Sequence, residues 1–98
     1  MNIENIITKK INKIFSPSYF KLINFSEKHR HHETNNRTNY SHIKLIIVSQ
    51  IFKNLNRVDR ERKVHELLTE ELKDHVHALV LKLYSEDESK LTDIHNFE

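Results

Sequence analysis

The chain contains neither cysteine nor glycine among its 98 residues. Without cysteine it can form no disulfide, offer no thiolate nucleophile and build no cysteine-only metal site. Any metal chemistry must therefore rest on its eight histidines. Without glycine, each turn that needs a positive φ must use another residue, and we expect Asn35, Asn36 and Asn54 to fill such positions.

Long hydrophobic runs and a secretory signal are also missing. No apolar stretch approaches the roughly 18 residues needed to cross a bilayer, and the N-terminus lacks a basic start, an apolar middle and a small-residue cleavage site. We therefore expect a cytoplasmic protein that does not contact membranes. With 16 Lys and Arg against 14 Asp and Glu, the overall charge indicates neither a nucleic-acid nor an acidic partner. The length suits one domain over residues 1–98.

The N-terminal half predicts a helix, a strand, a loop and a second strand. Isoleucines at helical spacing predict an amphipathic helix, with Ile3, Ile6, Ile7, Ile11 and Ile14 on one stripe. Ser16-Pro17-Ser18 ends this helix. Residues 19–25 favour a short strand because they are aromatic and β-branched. Residues 26–40 are polar and predict a long exposed loop, after which 43–48 predict a strand antiparallel to the first.

The C-terminal half predicts a helix, a strand and a short final helix. Asn56 can cap a helix whose inner face comprises Val64, Leu67, Leu68, Glu71 and Leu72. Residues 75–84 predict a strand with its leucines on one face, and His77 shares that face if the pleat begins early. A capping box at residues 85–88 opens the last helix, and residues 93–98 predict a frayed tail.

The order is therefore helix, strand, strand, helix, strand, helix. Each amphipathic helix must bury its apolar stripe against another element. We predict an α+β fold in which a small three-stranded mixed sheet has helices packed on one face.

His77 is the first candidate for chemistry because it stands at the entrance of a buried strand, in Val76-His77-Ala78-Leu79-Val80-Leu81. Taken alone, a histidine in this position is more often a structural hydrogen-bonding residue than a ligand. His75 and His77 share an i, i+2 spacing that is compatible with zinc on one strand face. Solvated histidines are the favoured interpretation of that pair.

Several segments together resemble a known family. They are Ser41-His42-Ile43-Lys44-Leu45-Ile46-Ile47-Val48-Ser49, Arg60-Glu61-Arg62, Leu68-Thr69-Glu70-Glu71-Leu72 and Val76-His77-Ala78-Leu79. Their order and spacing resemble the BolA family from about Ile3 to Tyr84. The chain departs from the family pattern at Glu61, where many members have histidine, at Asn54, often glycine, and at Ser89, commonly tryptophan.

The resemblance implies a fold related to the type II KH arrangement and partnership with a monothiol glutaredoxin. In such pairs a 2Fe-2S cluster is shared: the glutaredoxin cysteine and glutathione supply thiolates, and the BolA-like protein supplies two further ligands. These positions fall on His77 and His31, with His29 and His32 as alternatives in the same loop. His42 belongs to the strand signature, and its expected role is packing or hydrogen bonding.

Imidazole ligands make chemical sense in a chain without cysteine. Two imidazoles in place of two thiolates make a cluster less negative and raise its potential, as in Rieske centres. Because an imidazole must be neutral to ligate, the shared site should weaken below about pH 6.5. We expect no cofactor in the isolated protein, which would be a monomer or a weak homodimer.

A second hypothesis is a DNA-binding regulator, because some BolA-like proteins are linked to transcriptional control. A basic cluster near a helix N-terminus could contact phosphates; it comprises Arg57, Arg60, Arg62 and Lys63. The Gly-X-X-Gly clamp of KH domains cannot exist without glycine. Asp59 and Glu61 interrupt the cluster, and pairing of Asp59 with Lys63 or Arg62 with Glu66 would make it a solvated, self-paired face.

Catalysis is the least supported class. No spacing marks a nucleophile, a base and an oxyanion donor, and no phosphate loop is present. The sequence therefore predicts a non-enzymatic iron-sulfur adapter, with DNA regulation as the alternative.

Overall fold

A computed structural model describes residues 3–25 and 42–91. In chain order the elements are α1 (Ile3–Phe15), β1 (Tyr19–Asn24), β2 (His42–Val48), a 3₁₀ helix (Gln50–Asn54), α2 (Arg57–Leu67), α3 (Thr69–Asp74), β3 (Ala78–Tyr84) and α4 (Glu86–Leu91). The predicted loop, the predicted tail and His29, His31, His32, Asn35 and Asn36 lie outside the described residues.

The predicted three-stranded mixed sheet is confirmed, with strand order β1-β2-β3. β1 runs antiparallel to β2, with Tyr19 opposite Val48. β3 runs parallel to β2, so that Val48 also lies opposite Tyr84. The parallel pairing requires a crossover connection, which α2 and α3 provide.

The hydrophobic core lies on the face of the sheet that carries the helices. On β2 this face presents Ile43, Leu45 and Ile47, which are buried together with residues of α1, the 3₁₀ helix and α2. The other face presents Ile46, which is also fully buried and stands between Lys21 and Lys82 in the strand register. The predicted alternation along β2 is therefore confirmed, although both faces bury aliphatic residues.

The predicted inner stripe of α1 is partly wrong. Ile7, Ile11 and Phe15 are buried, whereas the Ile14 side chain is 48% exposed. Residues spaced by four lie nearly above one another on a helix, and position 14 falls about 100° away from position 15. The stripe therefore continues through the aromatic Phe15 and leaves Ile14 in solvent.

Tight turning at the end of α1 uses serine instead of asparagine. Among the described residues only Ser16 has a positive φ, at 43°, and its N–H donates to the Asn12 carbonyl at 3.2 Å. The prediction that Asn54 adopts a positive φ is wrong, because Asn54 closes the 3₁₀ helix. A left-handed serine costs roughly 1–2 kcal/mol relative to glycine, which the surrounding contacts must offset.

The single helix predicted after Asn56 is two helices. The backbone at Leu68 departs from helical geometry, with φ −105° and ψ 21°, while the Leu68 side chain is fully buried. The Thr69 hydroxyl donates to the carbonyls of His65 and Glu66 at 3.0 Å each. Leu68 therefore ends α2 and precedes α3 while its side chain stays in the core.

The third strand begins at Ala78 and not at residue 75, which corrects the prediction. His75 closes α3, where its N–H donates to the Glu71 carbonyl at 2.9 Å. That bond completes the helix, and strand pairing begins only after His77.

Two predicted caps are confirmed. The Asn56 side-chain oxygen accepts the Asp59 N–H at 2.8 Å and caps α2. The Ser85 N–H donates to Glu88 at 2.8 Å and the Glu88 N–H donates to the Ser85 hydroxyl at 3.2 Å, the reciprocal pattern of a capping box. None of the described helices is long and apolar enough to cross a membrane.

Candidate functional site: the histidine end of the sheet

Strand directions bring the end of β1 and the starts of β2 and β3 to one end of the sheet. Asn24 lies opposite Ile43, and His42 lies opposite Ala78. His77 directly precedes β3 and is exposed. We call Phe25, His42 and His77 the histidine end of the sheet.

The structure supports the predicted structural role of His42. Its carbonyl accepts the Phe25 N–H at 3.0 Å, and its ring centroid lies 5.8 Å from that of Phe25 with the planes tilted by 59°. Residues 26–41 therefore connect Phe25 to His42, and His42 lies beside the start of β3. The candidate ligands His29, His31 and His32 belong to that segment and are not described.

The predicted pair of His75 and His77 on one strand face is wrong. His75 lies at the end of α3 and His77 in a bend, so neither belongs to the pleat of β3. Residues 3–25 and 42–91 contain no group of three or more His, Asp or Glu side chains that could hold a metal ion. A metal-binding role for His77 therefore requires ligands from beyond the described residues.

The basic cluster is divided by the fold. Arg60 is largely buried, with 11% of its side chain exposed, and its Nε donates to the Leu55 carbonyl at 2.9 Å. One Nη donates to the Leu83 carbonyl at 3.1 Å, and the guanidinium lies 5.8 Å from the Phe52 ring. These contacts tie α2 to β3, which identifies Arg60 as a structural residue.

The remaining basic residues lie in solvent. Arg62 pairs with Asp59 at 3.4 Å, an i, i+3 contact. The predicted pairs of Asp59 with Lys63 and of Arg62 with Glu66 do not form. Arg57 and Lys63 are exposed, so the cluster offers at most two unpaired cations among the four predicted.

A cleft of about 450 Å³ lies between the start of α2, β3 and α4. Its walls include Leu55, Arg57, Glu61, Leu83 and Glu88. Burial raises the pKa of Tyr84, at the end of β3; the nearby Arg57 charge opposes this shift and the Glu88 charge adds to it. The cleft was not predictable from the sequence, because no local pattern shows which helix end faces which strand.

The fold and the site define the chain as a small α+β domain whose mixed sheet ends in an exposed histidine. The family model described as BolA-like protein matches residues 11–88. The "DNA-binding transcriptional regulator BolA" of Haemophilus influenzae is 43% identical over 90 residues, covering 92% of this chain and 84% of the relative.

Solved structures agree with this match. BolA1 from Arabidopsis thaliana superposes with a TM-score of 0.77 at 30% identity, covering 91% of this chain and 98% of that one. The BolA domain of SufE1 from the same plant has a TM-score of 0.72 at 30% identity, covering 86% and 92%. The chain belongs to the BolA family.

Proposed function

We propose that this chain is a non-enzymatic iron-sulfur adapter that pairs with a monothiol glutaredoxin and co-ligates a shared 2Fe-2S cluster for its delivery or for iron and redox regulation. His77 would be one ligand and His31 the other, with His29 and His32 as alternates for the second. The observation that carries the proposal is the exposed position of His77 beside the two ends of the histidine-bearing segment.

The donor set is compatible with a shared site. An exposed imidazole can reach a group held by another protein, and His77 has no hydrogen bond among the described residues that would have to break first. The chain has no cysteine, so the thiolates that such clusters need must come from a partner. The cluster would supply redox and transfer chemistry, while this chain would contribute neutral nitrogen ligands and the surface around them.

Anaerobic reconstitution tests the proposal. The full chain is mixed with a monothiol glutaredoxin, glutathione, iron and sulfide, and the visible absorption and circular dichroism are compared with those of the glutaredoxin alone. We expect both spectra to change on adding this chain. His77→Ala should abolish the change, and His65→Ala, which removes an exposed histidine from α2, should leave it intact.

Single alanine variants at His29, His31 and His32 identify the second ligand. The variant at position 31 should show the largest loss. An unchanged spectrum with His77→Ala would rule out the ligand assignment, whereas no spectral change with the unaltered chain would rule out the partnership itself.

A DNA-binding regulator is the second candidate. The relative from Haemophilus influenzae carries that description. Arg57, at the start of α2, and Lys63, in its middle, are both exposed. Arg60 is a poor phosphate ligand because Glu88 and two carbonyls already hold its guanidinium.

Salt dependence tests this candidate. Two phosphate contacts predict a slope of log affinity against log salt concentration of roughly −2 on duplex DNA. The double variant Arg57→Glu, Lys63→Glu should abolish this salt-dependent binding. If the unaltered chain does not bind DNA, or if the double variant binds it equally well, this surface is not a DNA-binding site. Arg60→Ala is unsuitable for the test because it would also disturb the fold.

A further inference from the structure

His77 belongs to a short connector, residues 75–77, that joins α3 to β3. At the start of the connector, the His75 N–H donates to the Glu71 carbonyl at 2.9 Å. Directly after it, Ala78 enters the sheet opposite His42. The backbone is therefore attached to α3 before the connector and to the sheet after it.

Val76 is the buried residue of this connector. It is only 7% exposed and belongs to the same hydrophobic cluster as Ile7 and Ile43. Its two sequence neighbours, His75 and His77, are both exposed. Because Val76 lies in the core, it determines which side of the connector faces the protein and which side faces solvent. The His77 side chain therefore leaves a backbone that the core holds in place.

The α3 side of the connector has a further attachment to the core. Glu71, whose carbonyl accepts the His75 N–H, is 6% exposed. Its carboxylate accepts hydrogen bonds from the Lys10 ammonium of α1 at 3.1 and 3.0 Å. A shift of the end of α3 would break this pair, so the connector starts from a fixed point.

We propose that Val76 is a positioning residue for His77, an inference that rests on the proposed function. The Val76 side chain anchors the connector in the core, so that the imidazole is presented from an ordered backbone before a partner arrives. A ligand whose backbone is already ordered loses less conformational entropy on binding. Val76 acts only through His77, because its own side chain is buried and does not reach the partner.

The first measurement uses the free chain and does not depend on a cluster. NMR relaxation of the isotope-labelled full chain should give the His77 backbone an order parameter of about 0.8, close to that of a rigid backbone. In Val76→Ala the value at His77 should fall below about 0.7. The matched control is Val64→Ala, which truncates another buried valine of the same core and should leave the His77 value unchanged.

The second measurement is an anaerobic titration of the cluster-bearing glutaredoxin with each variant, followed by visible circular dichroism at a temperature where far-UV spectra show every variant folded. Val76→Ala should weaken the apparent affinity by about tenfold, which corresponds to ordering the backbone of roughly one residue. Val76→Ile keeps a branched apolar side chain and should bind within about twofold of the unaltered chain. Val64→Ala should bind as the unaltered chain does, which separates positioning from a general loss of stability.

The outcomes distinguish this inference from the proposed function. If His77→Ala leaves the cluster spectrum unchanged, the ligand assignment is wrong and the positioning role is wrong with it. If His77→Ala abolishes the spectral change but Val76→Ala weakens binding no more than Val64→Ala does, the ligand assignment stands and only the positioning role is wrong. A mobile His77 backbone in the unaltered chain would also overturn the inference, and that result requires no variant that could fail to fold.

Discussion

Arg60 and Glu88 form a bidentate ion pair, with guanidinium nitrogens 2.7 and 3.2 Å from the two carboxylate oxygens. Glu88 also accepts the Ser85 N–H. The same carboxylate therefore caps α4 and fixes the arginine that joins α2 to β3. The pair explains why one member of a basic cluster is unavailable to external phosphates.

Removing Arg60 should destabilise the fold. Arg60→Ala deletes the donors to two backbone carbonyls and to Glu88, and we expect a loss of about 2 kcal/mol in the free energy of unfolding in urea. The control is Arg62→Ala, which removes an exposed pair and should cost less than about 0.5 kcal/mol. Equal losses in the two variants would contradict the structural role of Arg60.

Glu88 should make stability depend on pH. Its hydrogen bond from Arg60, followed by that from Ser85, lowers the pKa of Glu88 below its ordinary value of 4.5. A carboxyl whose folded-state pKa is lowered stabilises the fold above its unfolded pKa, and that contribution disappears as pH falls through the folded-state pKa. Acidification below about pH 4.5 should therefore remove stability.

Unfolding of Glu88→Gln at several pH values measures this contribution. The variant should lose less stability on acidification than the unaltered chain. The difference should stay under about 1 kcal/mol, because a half-exposed pair is screened by solvent. Glu66→Gln, an exposed carboxylate on α2, provides the comparison, and an acid dependence that survives Glu88→Gln intact would refute the assignment.

Lys10 and Glu71 connect α1 to α3 through a partly buried ion pair. The Lys10 Nζ lies 3.1 and 3.0 Å from the two carboxylate oxygens, and Glu71 is only 6% exposed. Lys10→Ala would leave a buried carboxylate without its partner, so we expect a loss of about 2 kcal/mol. Thermal or urea unfolding measures it.

Two further variants make the Lys10 prediction specific. Lys9→Ala removes the neighbouring exposed lysine and should have little effect on stability. Lys10→Met combined with Glu71→Leu should recover most of the loss, because a packed apolar pair replaces the ion pair without an uncompensated charge. If the double variant is as unstable as Lys10→Ala, the loss in Lys10→Ala does not come from an unpaired buried charge, and the prediction is wrong.

His77 should matter little for stability. It is exposed and lies in a bend before β3, so His77→Ala should change the free energy of unfolding by less than about 0.5 kcal/mol. Circular dichroism and urea unfolding check this. A large loss would mean that the spectroscopic test of the proposed function cannot separate ligation from folding.

Local patterns were sufficient for most elements. The caps at Asn56 and Ser85 were predictable because the capping side chain and the N–H that it accepts are three residues apart in the sequence. β2 was predictable because its residues are mostly aliphatic and β-branched, although both of its faces bury side chains. The position of Glu71 on an inner face was predicted, but its partner Lys10, 61 residues away, was not.

The candidate site was predictable only in part. His77 was identified through the family resemblance, and the structure places it in an exposed bend. The extension of β3 back to His75 failed because the hydrogen bond that ends α3 competes with strand formation at that residue. The role of Arg60 was missed because its carbonyl acceptors belong to other elements.

The sequence by itself determined the class of the fold and the chemical limits of its function. The spacing of apolar residues and the helix caps are local properties of the sequence. The lack of cysteine and glycine excludes thiolate ligands from this chain and a glycine clamp, whatever the fold. Only the tertiary structure decided which arginine is buried and which end of the sheet carries His77. These properties depend on contacts between distant elements, and no sequence period encodes how helices and strands align once they pack.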